Sequence, residues 1–161
     1  MSNGIKVKKR DGRIESLDLD KMHLMVDEAC QGLAGVSASQ VEMKSGIQFY
    51  DGITTEEIQE ILIKAASDLI DLDHPNYQFV AARLLLFALR KQLYGKMREL
   101  PHLEPHIMNC TNIDVYDKEI FAKYSKEEID KANSFIDHDR DFLFTYAGLR
   151  QVVDKYLVQD R

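Results

Sequence analysis

The sequence predicts a mainly α-helical protein that carries a small antiparallel β-hairpin near its start. Three observations predict it: an Asp-Gly turn between two alternating segments, a succession of apolar stripes at helical spacing, and a long apolar run over residues 77–94. The composition fits a folded domain, with 161 residues, 45% hydrophobic, 30% charged and a net charge of −6. That balance argues against a surface built to grip nucleic acid. No run reaches the roughly 18 apolar residues of a membrane span, and MSNGIKVKKR lacks the apolar core of a secretory signal. Cys30 and Cys110 form no CxxC pair, so neither a zinc ribbon nor a disulfide framework is expected. The expected location is the cytoplasm.

The hairpin comes first. Residues 5–9 (IKVKK) and 13–17 (RIESL) alternate on either side of Arg10-Asp11-Gly12. Leu19, Met22, Val26, Ala29, Cys30 and Leu33 then make one helical stripe, with Asp18 as N-cap and Gly35 beyond its end. Ser37 with Gln40, and Thr54 with Glu57, read as capping boxes that open two further helices. The second continues through Ile58, Ile61, Leu62, Ala65, Leu69 and Ile70. Between the two, Tyr50-Asp51-Gly52-Ile53 breaks the pattern and can add a short strand to the hairpin. Pro75 restarts the chain into residues 77–94, apolar nearly all round and therefore central. Pro101 and Pro105 mark a boundary. Shorter pieces follow: Ile107–Met108, Val115–Tyr124, a helix boxed by Ser125 and Glu128, an amphipathic run over 145–157, and a strand-like Tyr-Leu-Val-Gln at 156–159. The expectation is a complete domain over residues 1–97, with 98–161 as the helical start of a larger body. Met22, Met25, Met43, Met97 and Met108 are read as gap-filling core residues.

Charge is distributed unevenly. Lys6, Lys8, Lys9, Arg10 and Arg13 stand against Asp11 in the hairpin, and Arg83, Arg90, Lys91, Lys96 and Arg98 have no acid among them. Residues 54–73 carry six acids against Lys64 alone. Two basic edges around an acidic helix can enclose a phosphate, and Lys21, in a first helical turn, opposes the helix dipole unless an anion sits there too. The competing reading is a solvated basic face, since neither GxGxxG nor GxxxxGK[ST] occurs. His102 and His106 have a metal-ligand spacing that the two prolines are expected to spoil. Asp137, His138, Asp139 and Asp141 read as a capped turn before a cation site. Cys30 reads as a small core residue, and Cys110 shows no activating basic neighbour. No catalytic triad or carboxylate pair stands out.

At VKKRDGRIESLDLDK (7–21) the sequence closely resembles the ATP-cone, the regulatory nucleotide-binding domain of ribonucleotide reductases. The likeness continues through IQFYDGITT (47–55), IKAASDL (63–69), NYQFVAARLLL (76–86) and LRKQLYG (89–95). FIDHDRD (135–141) and KYLVQ (155–159) are similar to the entry to the catalytic barrel of the large subunit, in the aerobic class I enzymes of bacteria.

The resemblance implies a small three-stranded sheet capping a four-helix bundle, which binds ATP as activator or dATP as inhibitor. It implies that Lys9 and Arg10 face the triphosphate, joined by Lys91. Glu15, Ser16, Leu17, Asp18, Leu19, Asp20 and Lys21 surround base and sugar, with Glu15 and Asp18 near adenine and Lys21 near phosphate. Thr55 offers a hydroxyl or a backbone N–H. Gln59 stands where close relatives carry His, and Asp18, an acceptor only, where they carry Asn. Glu57 stands where an acid affects the response to dATP. Implied partners are a radical-bearing small subunit and further copies of the large subunit, with no nucleic acid and no membrane. The family reduces ribonucleoside diphosphates with barrel cysteines that neither Cys30 nor Cys110 matches, so this stretch alone is expected to be inactive.

Two alternatives remain open on sequence. A free-standing ATP-cone repressor would carry a four-cysteine zinc ribbon ahead of the cone, and the four residues before the hairpin and the lack of any CxxC disfavour it. A helical protein–protein module would use the basic hairpin on an acidic partner and bind no nucleotide.

Overall fold

A computed structural model describes residues 4–157. They form two compact units: the residues up to Leu89 together with those from Phe142 onward, and Arg90–Asp141.

The first unit opens with β1 (Lys6–Lys8) and β2 (Ile14–Ser16), antiparallel, with Val7 opposite Glu15. At the turn between them Gly12 takes φ +85°, a conformation that favours glycine, and its N–H donates to the Lys9 carbonyl at 2.9 Å. The short strand expected after Tyr50 forms as β3 (Ile53–Thr54), giving the order β2-β1-β3. It pairs parallel to β1, with Val7 opposite Ile53 and Lys8 opposite Thr54. The sheet is therefore mixed, which corrects the antiparallel expectation. The reason lies in the connection: two helices intervene between β2 and β3, so the chain returns by a crossover and not by a hairpin. Asp51 Oδ1 accepts the Lys6 N–H at 2.8 Å and the Gly52 N–H donates to the Lys6 carbonyl at 2.9 Å, fixing that register.

The first of these helices, α1 (Leu19–Cys30), starts at Asp18, whose Oδ1 accepts the Lys21 N–H at 2.9 Å. It buries Met25, Val26 and Ala29, while Leu19, assigned to the core stripe, is 59% exposed. The second, α2 (Ala38–Gly46), begins at Ser37 without the expected capping box. Instead the Ser37 N–H donates to the Tyr77 hydroxyl at 3.0 Å, and that hydroxyl donates to Gln40 Oε1 at 2.8 Å. In α3 (Thr55–Ser67) the expected box of Thr54 and Glu57 is complete. Helix α1 packs on α2, and α2 on α3. The long run becomes α4 (Tyr77–Tyr94), burying Tyr77, Val80, Ala81, Leu84 and Phe87. From α4, Arg83 donates to the Ala29 and Gln31 carbonyls at 3.1 and 2.7 Å, satisfying the end of α1.

The second unit holds α5 (Leu103–Asn112), α6 (Ile120–Lys123) and α7 (Lys126–Asn133). Pro101 precedes α5, but Pro105 lies inside its first turn, where a helix needs no N–H donor, so the prolines do not break a helix around His106. Helices α5 and α7 pack together, burying Ile107 and Ile129. The expected box of Ser125 and Glu128 opens α7. Arg90, 7% exposed, donates to Asp141 Oδ2 at 2.8 Å.

After a 3₁₀ segment (His138–Leu143), α8 (Tyr146–Lys155) starts at Thr145 and buries Leu149 within the first unit. Phe142 meets Phe87 edge-on at 6.2 Å and lies 5.5 Å beneath the Arg83 guanidinium. Tyr156 closes α8 as its C-cap, and the rest of the strand expected from there, Val158 and Gln159, lies outside the described residues. Of the methionines read as core, Met25 is buried, but Met43 and Met108 are exposed. Among the described residues no helix is long and apolar enough to cross a membrane.

Candidate functional site

The hairpin turn and the first turn of α3 meet through charged side chains. Lys8 and Thr54 are register partners, so Lys9 and Thr55 leave adjacent strand ends. Lys9 Nζ lies 3.4 Å from Glu15 Oε2 across the hairpin. Arg10 Nε donates to Glu56 Oε1, and the Thr55 hydroxyl donates to Glu56 Oε2 at 3.1 Å. Burial pushes the Glu56 carboxyl up, but hydrogen bonds from Arg10, its own N–H and Thr55 hold it below the usual range. One residue on, Glu57 Oε2 accepts the Thr54 N–H at 2.8 Å and Oε1 accepts the Tyr50 hydroxyl at 2.8 Å. The Thr54 N–H first, then the two hydroxyls, lower the Glu57 carboxyl, and the same contact raises the Tyr50 hydroxyl.

Gln59 follows Thr55 by four residues and shares its face of α3. It is 9% exposed, and its carboxamide forms no hydrogen bond among the described residues. The amide atoms nevertheless reach solvent, so the carboxamide is free to bond a ligand at little cost.

Residues 16–21 lie elsewhere in the first unit. Ser16 opposes Lys6, at the far end of β2 from the Lys9 turn, and its Oγ accepts from Lys6 Nζ at 3.1 Å. The Leu17 N–H donates to the Ile5 carbonyl at 2.8 Å, delivering the chain to Asp18, whose carboxylate caps α1. Leu19, Asp20 and Lys21 are exposed on that first turn. Lys91 stands in the last turn of α4, among the residues of the second unit. The structure thus links Lys9, Arg10, Glu15 and Thr55 through Glu56 and the sheet, with Gln59 one turn below Thr55. Residues 16–21 form a separate corner one strand-length away. Sequence reasoning missed Glu56 as the link, because it counted the acids of α3 as a block. The available signal was an acid in the first turn of a helix whose preceding strand lies beside a basic one.

Other candidates resolve differently. His102, at the N-cap of α5, meets Asn133 Nδ2 at 2.9 Å, while His106 sits edge-on to Tyr94 and Tyr116 at 5.7 and 6.0 Å. The two imidazoles serve different partners. Cys110 does have a basic neighbour, His106 Nε2 at 3.7 Å, one helical turn back. Cys30 is half-buried, and burial pushes its thiol up to about 11. Asp137 Oδ1 accepts the Asp139 N–H at 3.1 Å, the capped turn expected there, and Asp141 is engaged by Arg90.

Residues 5–92 match the ATP cone domain family. Over its full length the chain is 49% identical to the ribonucleoside-diphosphate reductase 1 subunit alpha of Escherichia coli (strain K12). It is 47% identical to the ribonucleoside-diphosphate reductase subunit alpha of Haemophilus influenzae, again over its full length. Over 159 residues, 98% of the chain, it is 43% identical to the ribonucleoside-diphosphate reductase subunit alpha of Enterobacteria phage T4. The chain spans 21% of the length of each of these relatives, about a fifth.

Proposed function

The chain belongs to the ATP-cone family, and from that premise we propose that it is an allosteric domain that binds ATP or dATP. It serves a ribonucleoside-diphosphate reductase alpha subunit, with ATP switching reduction on and dATP switching it off. Residues 1–97 are the regulatory cone, with α1–α4 as a four-helix bundle under the sheet, and residues 98–161 lead toward the catalytic body. The observation that carries this reading is the pair Lys9–Arg10, set beside the first turn of α3 and its hydroxyl donor Thr55.

The chemistry suits a nucleoside triphosphate. Lys9 supplies a point charge, and the Arg10 guanidinium a fork that two phosphate oxygens can share. Thr55 and the opening N–H groups of α3 add donors at the positive end of a helix dipole. Gln59 offers sugar or base the amide that no protein group satisfies. Glu15, Ser16, Leu17, Asp18, Leu19 and Asp20 enclose base and ribose, and Lys21 returns to phosphate. Lys91 contributes a further cation on the strength of the family resemblance.

ATP and dATP differ by one hydroxyl, so the switch rests on a difference in affinity between two arrangements of the cone. One hydrogen bond is worth roughly 1 kcal/mol net, about fivefold. The segment Glu15–Lys21 and the start of α3 are the parts that respond. Their response exposes a face for the radical-bearing beta subunit and for other alpha subunits, in a cytoplasmic enzyme. The reducing cysteines lie outside this stretch, which has no reductase activity by itself. Calorimetry tests the reading: ATP and dATP both bind the chain, and Lys9→Ala or Lys91→Ala each weakens binding about tenfold. Absence of binding by either nucleotide defeats it. Identical hydrogen-exchange protection over residues 15–21 and 54–59 with the two nucleotides defeats the switch alone.

A further inference from the structure

We infer that Glu56 is a tethered anion that occupies the phosphate-binding groups of this site while it is empty, so that a triphosphate has to displace it. The inference rests on the nucleotide-binding reading and adds a residue that sets its affinity. One carboxylate engages two of the proposed phosphate donors at once: Oε1 takes Arg10 Nε, and Oε2 takes the Thr55 hydroxyl at 3.1 Å. Its place in the first turn of α3 gives it the same helix dipole that favours a phosphate there.

Glu56 mimics the ligand with fewer oxygens and less charge. The Arg10 and Glu56 side chains are 42% and 47% exposed, so their pair is screened by water and opens readily. A triphosphate, with several oxygens and more charge, replaces it. The carboxylate nevertheless competes at the high local concentration that tethering confers, and the observed affinity falls accordingly. Once displaced, Glu56 remains a negative charge beside a polyanion and further weakens the complex.

The test is calorimetry on the whole chain with ATP and with inorganic tripolyphosphate, comparing wild type, Glu56→Gln and Glu60→Gln. Glu60 is exposed one turn further along α3, so its substitution removes the same charge but neither contact. Glu56→Gln is expected to bind both probes about three- to tenfold more tightly than wild type. Glu60→Gln is expected to stay within about twofold, a difference that added salt removes. Unchanged or weaker binding by Glu56→Gln, with wild type binding ATP, overturns the inference and leaves the nucleotide reading standing. Tightening of equal size in Glu60→Gln overturns it too, by reducing it to net charge. If neither wild type nor Glu56→Gln binds ATP, both readings fall.

Discussion

The Tyr77 hydroxyl stands between the two halves of a would-be capping box: it accepts the Ser37 N–H at 3.0 Å and donates to Gln40 Oε1 at 2.8 Å. A residue at the start of α4 therefore organises the start of α2. Tyr77 is 1% exposed, so removing its oxygen strands the Ser37 N–H and the Gln40 carbonyl together. Tyr77→Phe is expected to lower stability by about 1–2 kcal/mol in urea denaturation, with the m-value unchanged.

Across the sheet, Thr54 and Glu57 set the entry to α3. Thr54→Ala is expected to cost about 1 kcal/mol, measured by thermal melting at pH 7. Its deficit should shrink in acid. The Thr54 N–H, the Tyr50 hydroxyl and the Thr54 hydroxyl hold the Glu57 carboxyl below its ordinary 4.5. A carboxyl lowered by folding stabilises above its unfolded pKa and stops doing so as pH falls through the folded one. Melting at pH 3 should therefore separate wild type from Thr54→Ala less than melting at pH 7 does.

The two cysteines should differ in reactivity. Burial pushes the Cys30 thiol up to about 11, so at pH 8 roughly one part in a thousand is thiolate. Cys110 lies 3.7 Å from His106 Nε2. Limited iodoacetamide treatment of the folded chain, read by mass spectrometry, should modify Cys110 first and Cys30 only after denaturation.

Much of this architecture could be read locally. Asp11-Gly12 specified its turn, Thr54 with Glu57 and Ser125 with Glu128 specified helix starts, and the run over 77–94 specified α4, because each signal lies within a few residues of its effect. What stayed hidden was set by distant contacts. Ser37 and Gln40 spell a capping box, but a tyrosine hydroxyl from 40 residues away takes it over. The parallel pairing of β3 depends on a crossover through two helices. Pro105 reads as a breaker until its place in a first turn is known.

The site was legible in the same partial way. Lys9, Arg10 and Thr55 were visible as cations and a hydroxyl in the right segments. Glu15 was named with them, but its pairing with Lys9 and the role of Glu56 opposite Arg10 were not, since a charge count does not reveal which acid faces which base. The burial of Gln59 follows from packing that no short motif encodes.

An amide-resolved NMR titration of the chain with ATP puts the nucleotide-binding reading to its most direct trial. The account predicts saturable shifts that begin at Lys9, Arg10, Thr55 and Gln59 and extend through Glu15–Lys21, with Lys91 responding as well. Shifts confined to other parts of the chain, or none at millimolar ATP, would contradict it.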